Sequence, residues 1–501
     1  MIRGISPVIP SPRKAAVSEK VITVPASVVC PPDVMPAAEA FASYMRASGI
    51  EVTVRAEDEP FADVTGPDAE GSVARGIVAL RVSGAEQESY TIEARNGSAV
   101  VKASGFRGFC RAFASLWQAS EASGNGFVNL HYKMIDDGPE NGYRGLMVDL
   151  ARFRHPFGYL KAYVDLCWAY KLSVLHLHFT DDQSYTLPSR ILPKLSTPGR
   201  SYSPEEIAEL TEYAAARGVD IMPEIDVPGH NACFSAAYPE LFGTRGIICQ
   251  HEDSVNKIAE LFDELCRMFP RSTMIHVGGD EANLKNWLDC PECMKYAKKT
   301  GALKDGDTDT DVCDRLYVDF IVKMAETVRK NGKKPVVWEG FPKSMNGSVP
   351  RYITVMSWEN YYQITPDLLE AGFDIINCSW NPMYIVAPDV KWTPEEICSW
   401  SIYRWIPVHP GSPFSGSSYE CEPSGQVKGG QLLAWGDRLP AAFHDDDEGS
   451  RAELGLILDR IPYLAQNTWH KSERLVYNET AEAVSELKRK VAALISRNID
   501  K

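Results

Sequence analysis

The segment MIHVGGDEAN, residues 274–283, ends an apolar run and a glycine pair with two adjacent acids, Asp280 and Glu281. Neighbouring like charges repel, so the pairing itself adds no stability. It is either a solvated loop end or a reactive site. Glycoside hydrolysis normally takes its acid and its base or nucleophile from two carboxyl groups flanking the sugar. Successive side chains diverge and do not suit that arrangement. They suit a substrate-assisted scheme, in which a 2-acetamido carbonyl oxygen attacks the anomeric carbon. One carboxyl group protonates the leaving oxygen, and its neighbour holds the acetamide N–H and meets the positive oxazolinium ring. In that scheme Glu281 must carry a proton near neutral pH. The Asp280 anion and a tryptophan-lined pocket are expected to push its pKa up.

The elements that would position this pair can be read from the hydrophobic pattern. From about residue 141, short apolar, β-branched runs alternate with helical segments: 144–150, 172–179, 219–226, 274–279, 335–340, 352–358, 374–380 and 430–437. Eight such runs separated by helices at 157–170, 204–217, 254–269 and 314–331 predict a closed parallel (β/α)8 TIM barrel, an α/β fold. Nearly every run ends in an acid or a tryptophan, and in this fold the C-terminal strand ends face the active site. An acidic, indole-lined mouth suits a carbohydrate, whose ring presents C–H faces and whose hydroxyls need polar partners. The long connection 381–429 is expected to shape one wall.

Upstream lies a smaller α+β unit. Strand patterns at 20–29, 51–57, 76–84 and 89–105 flank helical segments at 35–49 and 106–123, and Asn96-Gly97 marks a hairpin. The expected division is an extension at 1–16, the small domain at 17–138, the barrel at 139–470 and a C-terminal helix at 471–501. The net charge of −15 argues against nucleic acid as a partner. No apolar run is long enough to span a membrane. No signal-peptide pattern opens the chain, so as written it is expected in the cytoplasm, or as secreted or periplasmic if an export signal has been removed.

Three further patterns leave alternatives open. His176 and His178 form an H-x-H on the second strand, either packed barrel histidines or a metal site. Cys290 and Cys293 form a C-x-x-C, either a reduced pair at a turn or half a metal or redox site. Glu224, Asp226 and Glu339 are either sugar ligands or supports for them, and Asp149 is expected to buttress the first strand, paired with an arginine.

HVGGDE, together with RGLMVDLARF, LHLHFTDDQSY, MPEIDVPGH and the AWGD strand end, resembles the β-N-acetylhexosaminidases of glycoside hydrolase family 20 from about residue 17 onward. The resemblance implies a retaining exo-hydrolase that releases terminal GlcNAc or GalNAc from a glycan or glycoconjugate, with no cofactor and no metal. It implies that Glu281 is the general acid/base and that Asp280 orients the acetamide. Arg144 would donate to the 3- and 4-hydroxyls, with Asp181 and His230 around the sugar and the acid. Trp338, Trp358 and Trp435 would box the acetamido methyl and stack beneath the ring, and Tyr384 would align the acetamide oxygen. The chain departs from the family pattern at Val386, where an acid is common, and at Asp437, where a glutamate is common. These departures predict looser recognition of the 4- and 6-hydroxyls. Release of a disaccharide or of a 6-sulfated GlcNAc, and a catalytically silent carbohydrate-binding barrel, are the alternative readings.

Overall fold

The computed structural model describes residues 7–58, 76–84, 86–124 and 126–500. The first six residues of the expected extension lie outside them. Eight parallel strands close into a barrel: Tyr143–Asp149, Val174–His178, Asp220–Glu224, Met274–His276, Lys334–Trp338, Thr354–Ser357, Asp374–Asn377 and Val427–Ala434, the seventh pairing with the eighth and the eighth with the first. Each coincides with one of the apolar runs. Their continuous apolar character follows from burial on both faces, inside the barrel and beneath the helices.

The helical connections start where local chemistry lets them. Ser203 caps Pro204–Ala215 and shares a reciprocal pair of hydrogen bonds with Glu206. Thr308 and Asp311 do the same for Asp309–Lys330, satisfying N–H groups that have no partner within the helix. Two long helices end the chain, Asp446–Trp469 and Tyr477–Ile499. The second packs along the barrel helix Phe157–Ala169, and its Arg497 and Asn498 reach Asp165 there.

The small unit is a mixed sheet carrying the helices Met35–Ala47 and Phe106–Ala119. Asn96-Gly97 makes the expected two-residue turn, with Arg95 opposite Ser98 and Gly97 at a φ of +84°. The sequence pattern did not mark the strand Phe127–Asp137, which pairs with both Lys14–Pro25 and Tyr90–Arg95. It also extended the second helix over Ser120–Ala122, which is a short strand. The unit docks on the barrel through aromatic side chains. Tyr44 and Trp117 lie 4.3 and 5.7 Å from Trp168 between ring centres.

Arg144, expected in the sugar site, belongs to this same docking face. It occupies the start of the first barrel strand, at the end opposite the strand C-termini, and is fully buried. Its guanidinium donates to Glu88 of the small unit and to the carbonyls of Asn141 and Lys171, and it lies over Trp469. Burial opposes the charge on Glu88, but Arg144 and Arg111 outweigh it and bring its pKa down to about 2. Lys171 and Asp137 form a second buried pair nearby, 3.1 Å apart. No helix among the described residues is long and apolar enough to cross a membrane.

Candidate active site

The fourth strand runs into Gly278 and Gly279, and both glycines are required there. A Cβ on Gly278 would stand 1.9 Å from Asp226 Oδ1, and both residues have φ in the left-handed region. The close approach lets the Gly279 N–H donate to Asp226 Oδ1 at 3.0 Å. The chain then presents Asp280 inward, 6% exposed, while Glu281 turns out to the cavity with its side chain 55% exposed. The turn is made by a left-handed backbone at Glu281, φ +48°. His230 and Asn360 share that conformation, which costs about 1–3 kcal/mol for a residue with a side chain and concentrates at functional sites.

A cavity of about 260 Å³ opens on these two acids. This is below the roughly 300 Å³ at which drug-sized pockets begin, and it suits one sugar ring. Its aromatic walls are Trp358, Trp380, Tyr384 and Trp435. Trp358 and Tyr384 lie nearly parallel, 6.1 Å apart, and Trp380 and Trp435 flank Tyr384 at 5.5 and 5.8 Å. Trp380 and Tyr384 come from the start of the long connection after the seventh strand, which therefore supplies the expected wall. Trp338 does not line the cavity. It is 1% exposed beneath the floor, 6.2 Å from Trp435, and its indole N–H donates to Glu224 at 2.6 Å.

Besides Arg438, the arginine that reaches the cavity is Arg152. Its guanidinium meets Asp149 at 3.0 Å, Asp181 at 2.6 Å and Asp437 at 3.4 Å, and stacks 5.0 Å from Trp435. Asp149 thus has the arginine partner expected of it. The sequence offered two arginines around the first strand, and only the strand's direction separates them: Arg144 precedes its start and Arg152 follows its end. Asp437 and Val386 both face the cavity.

A continuous chain of polar contacts runs from the barrel interior to Glu281. Glu224 meets His178 Nδ1 at 2.6 Å, His178 Nε2 meets Asp181 at 3.1 Å, and Asp181 meets His230 Nδ1 at 3.2 Å. His230 Nε2 lies 3.3 Å from Glu281. Glu224 also lies 3.0 Å from His176 and 3.0 Å from His276. The H-x-H histidines therefore converge on one buried carboxylate. Glu224 and Asp226 support the site from below, and Glu339 accepts from Ser357 Oγ and from the N–H groups of Trp358 and Tyr361, which fixes the segment bearing Trp358.

The electrostatics reverse the expectation for Glu281. Its hydrogen bond with His230 outweighs burial, and its pKa is lowered. Burial opposes the charge on His230, but the contacts to Asp181 and Glu281 and the nearby Asp226 and Asp280 prevail, so the imidazolium is favoured. The proton of this pair rests on His230. Burial raises Asp226 strongly and Asp280 as well, with each acid adding to the other's environment. A hydrogen bond with Asp226 favours the charged form of Asp280 but does not overcome burial. Asp280 Oδ1 is buried and has no hydrogen-bond partner among the described residues. An orphaned acceptor of this kind costs about 1–3 kcal/mol, more when charged, unless a ligand supplies the donor.

Glu359, which no sequence pattern singled out, is buried close by. Burial, then Glu281, Glu339 and Asp280, push its pKa up to about 8 from 4.5. Between those values the folded protein holds a proton that the unfolded chain releases, so this group's contribution to stability falls as pH rises from 4.5 to 8. Glu359→Gln is expected to raise the melting temperature more at pH 8 than at pH 5. An equal shift at both would place the charge elsewhere.

Residues 142–472 match the model for the glycosyl hydrolase family 20 catalytic domain, and residues 6–137 match domain 2 of the same family. The chain belongs to glycoside hydrolase family 20. This hydrolase is 29% identical over 401 residues to a beta-hexosaminidase of Akkermansia muciniphila, an alignment covering 72% of this chain and 76% of that one. It is 30% identical over 251 residues to a beta-hexosaminidase of Porphyromonas gingivalis, covering 45% of this chain but only 31% of that one. The crystal structure of a beta-N-acetylhexosaminidase from Bacteroides fragilis shares the fold, with a TM-score of 0.76 at 21% identity over 96% of each chain.

Proposed function

We propose that this hydrolase is a retaining exo-β-N-acetylhexosaminidase that releases a terminal non-reducing GlcNAc or GalNAc by substrate-assisted catalysis. The observation that carries the reading is the orphaned, buried Oδ1 of Asp280 beside the exposed Glu281, in a small cavity walled by aromatic rings. An acetamide supplies what this arrangement lacks, a donor for Oδ1 and a methyl group for the box of Trp358, Trp380 and Tyr384.

The sugar rests its C–H face on Trp435, with Arg152 and Asp437 toward its hydroxyls. The acetamide N–H donates to Asp280 Oδ1, and the Tyr384 hydroxyl donates to the acetamide oxygen. This holds the oxygen below the anomeric carbon, where proximity replaces a separate nucleophile. The carbonyl oxygen bonds to the anomeric carbon as the glycosidic bond breaks. The leaving oxygen takes its proton from Glu281, which takes it in turn from His230 Nε2. Asp280 stays anionic and meets the oxazolinium charge, an electrostatic contribution made in a site already shielded from water. Water then attacks the anomeric carbon as Glu281 accepts its proton, the ring opens, and two inversions leave the β configuration unchanged.

Release of nitrophenol from a β-N-acetylglucosaminide, with the matching β-glucoside as control, tests the reading. Turnover of the first alone is expected. Cleavage of both at similar rates would remove the acetamide from the mechanism. Because Val386 and Asp437 both depart from the family pattern, comparable rates on GlcNAc and GalNAc glycosides are also expected. Strict preference for GlcNAc would show that other cavity residues still read the 4-hydroxyl.

A further inference from the structure

The C-x-x-C left open by the sequence acquires a third cysteine in the fold. Cys249 Sγ lies 3.5 Å from Cys290 Sγ and 3.5 Å from Cys293 Sγ, and all three sulfurs fall within 4.8 Å of one another. Cys290 is the residue before the helix Pro291–Thr300 and Cys293 lies in its first turn, so the helix start directs two sulfurs toward one point. Cys249 arrives from the connection after the third strand. We propose that these three cysteines bind a Zn²⁺ ion that joins the connections after the third and fourth barrel strands.

Geometry separates this from the two bland outcomes. A disulfide holds its sulfurs at about 2.0 Å, and three cysteines leave one without a partner. Three free thiols, two of them only partly buried, have no packing reason to converge on each other. Zinc–thiolate bonds of about 2.3 Å in a tetrahedron place neighbouring sulfurs roughly 3.8 Å apart. The observed 3.5 Å needs only a small outward adjustment. The backbone N–H of Gln250 already donates to Cys293 Sγ at 3.1 Å, the kind of outer contact that holds a metal-bound thiolate in place. The helix start at Cys290 favours negative charge on its neighbours, which suits thiolate ligands there. Among the described residues no fourth His, Cys, Asp or Glu joins the group, so the fourth position falls to water. Binding releases the three thiol protons and makes a closed loop-to-loop link.

That link has a definite place. The connection ending at Cys249 carries His230, and the connection reaching Cys290 carries Asp280 and Glu281. They are already tied by Trp287 Nε1 donating to the Ile248 carbonyl at 2.8 Å and by Asn286 Nδ2 donating to the Arg245 carbonyl at 2.6 Å. The ion would fasten the outer end of the same seam.

Zinc content of the protein purified without chelator is the first measurement, with about one ion per chain expected. The metal-depleted, reduced protein is then titrated with Co²⁺. A thiolate-to-cobalt absorption in the near ultraviolet, saturating at about one equivalent, is expected and should vanish on adding Zn²⁺. Cys249→Ser and Cys293→Ser should remove it, while Cys233→Ser, outside the cluster, should not. Zn²⁺ should raise the melting temperature of the unsubstituted protein and leave that of Cys249→Ser unchanged. Absence of both zinc and the cobalt band would overturn the proposal. So would a band that survives Cys249→Ser, or a purified protein that lacks two of its twelve titratable thiols when unfolded, which would mark a disulfide instead.

Discussion

Asp280→Asn is expected to lower kcat on an aryl β-N-acetylglucosaminide by about 100- to 1,000-fold, the usual effect of removing one preorganised electrostatic partner of the transition state. The substitution keeps the shape of the side chain but removes the charge that meets the oxazolinium ring. It also turns a buried acceptor that has no partner into a group able to present an N–H toward the acetamide N–H. Glu281→Gln is expected to lower kcat by about 100- to 10,000-fold, the range for a lost general acid. The two should differ by leaving group. A nitrophenol leaves with little help from an acid, so Glu281→Gln should retain more activity on it than on an unactivated disaccharide. Asp280→Asn should be impaired on both, because ring formation accompanies departure in either case. Near-unchanged turnover in either variant would remove that residue from the mechanism. His230 contributes a third readout. In the proposed scheme its proton is the one Glu281 delivers, so His230→Asn should shift the alkaline limb of the kcat profile as well as lowering it.

The second large effect concerns stability and divides two arginines that the sequence set only eight positions apart. Arg144→Met should destabilise the protein by about 3–5 kcal/mol, the cost of removing one partner of a buried ion pair. The folded fraction should keep its KM. Arg152→Met should do the reverse, raising KM and lowering kcat for the aryl glycoside, because its guanidinium lies in the cavity with Asp437 and over Trp435. A raised KM in Arg144→Met with no loss of stability would return that residue to the sugar site. Acid titration adds a check. Glu88 has its pKa brought down to about 2, so its stabilisation is present above the ordinary 4.5 and is lost as pH falls toward 2. In Arg144→Met less of that depression remains, since Arg111 alone still pairs with Glu88, and the acid limb of the stability curve should become shallower.

Much of this molecule was legible in one dimension because its strongest signals are local. A strand buried on both faces must be apolar throughout, and a helix repeats its apolar face every three to four residues. The eight barrel strands and the helices between them therefore stand out as runs and spacings. The sequence also brought Asp280, Glu281 and the cavity tryptophans Trp358 and Trp435 to strand ends, since a parallel barrel sends every strand's C-terminus to one face, while His230 and Tyr384 were named by the family resemblance.

What the sequence did not decide depends on direction and distance between segments far apart in the chain. Arg144 and Arg152 flank the same strand, and which one meets the sugar depends on which end of the barrel is the mouth. Trp338 shares its strand-end position with Trp358, yet the pleat turns it under the floor onto Glu224. The pKa of Glu281 was argued from its sequence neighbour Asp280, but His230, 51 positions away, controls it at 3.3 Å. The third cysteine of the Cys249 group lies outside any local motif, because only barrel closure sets the connection after the third strand beside the one after the fourth. Local pattern thus determined the elements and the chemistry they carry to the mouth. Tertiary structure decided which charges face each other across it, since electrostatic coupling depends on separation in space rather than along the chain.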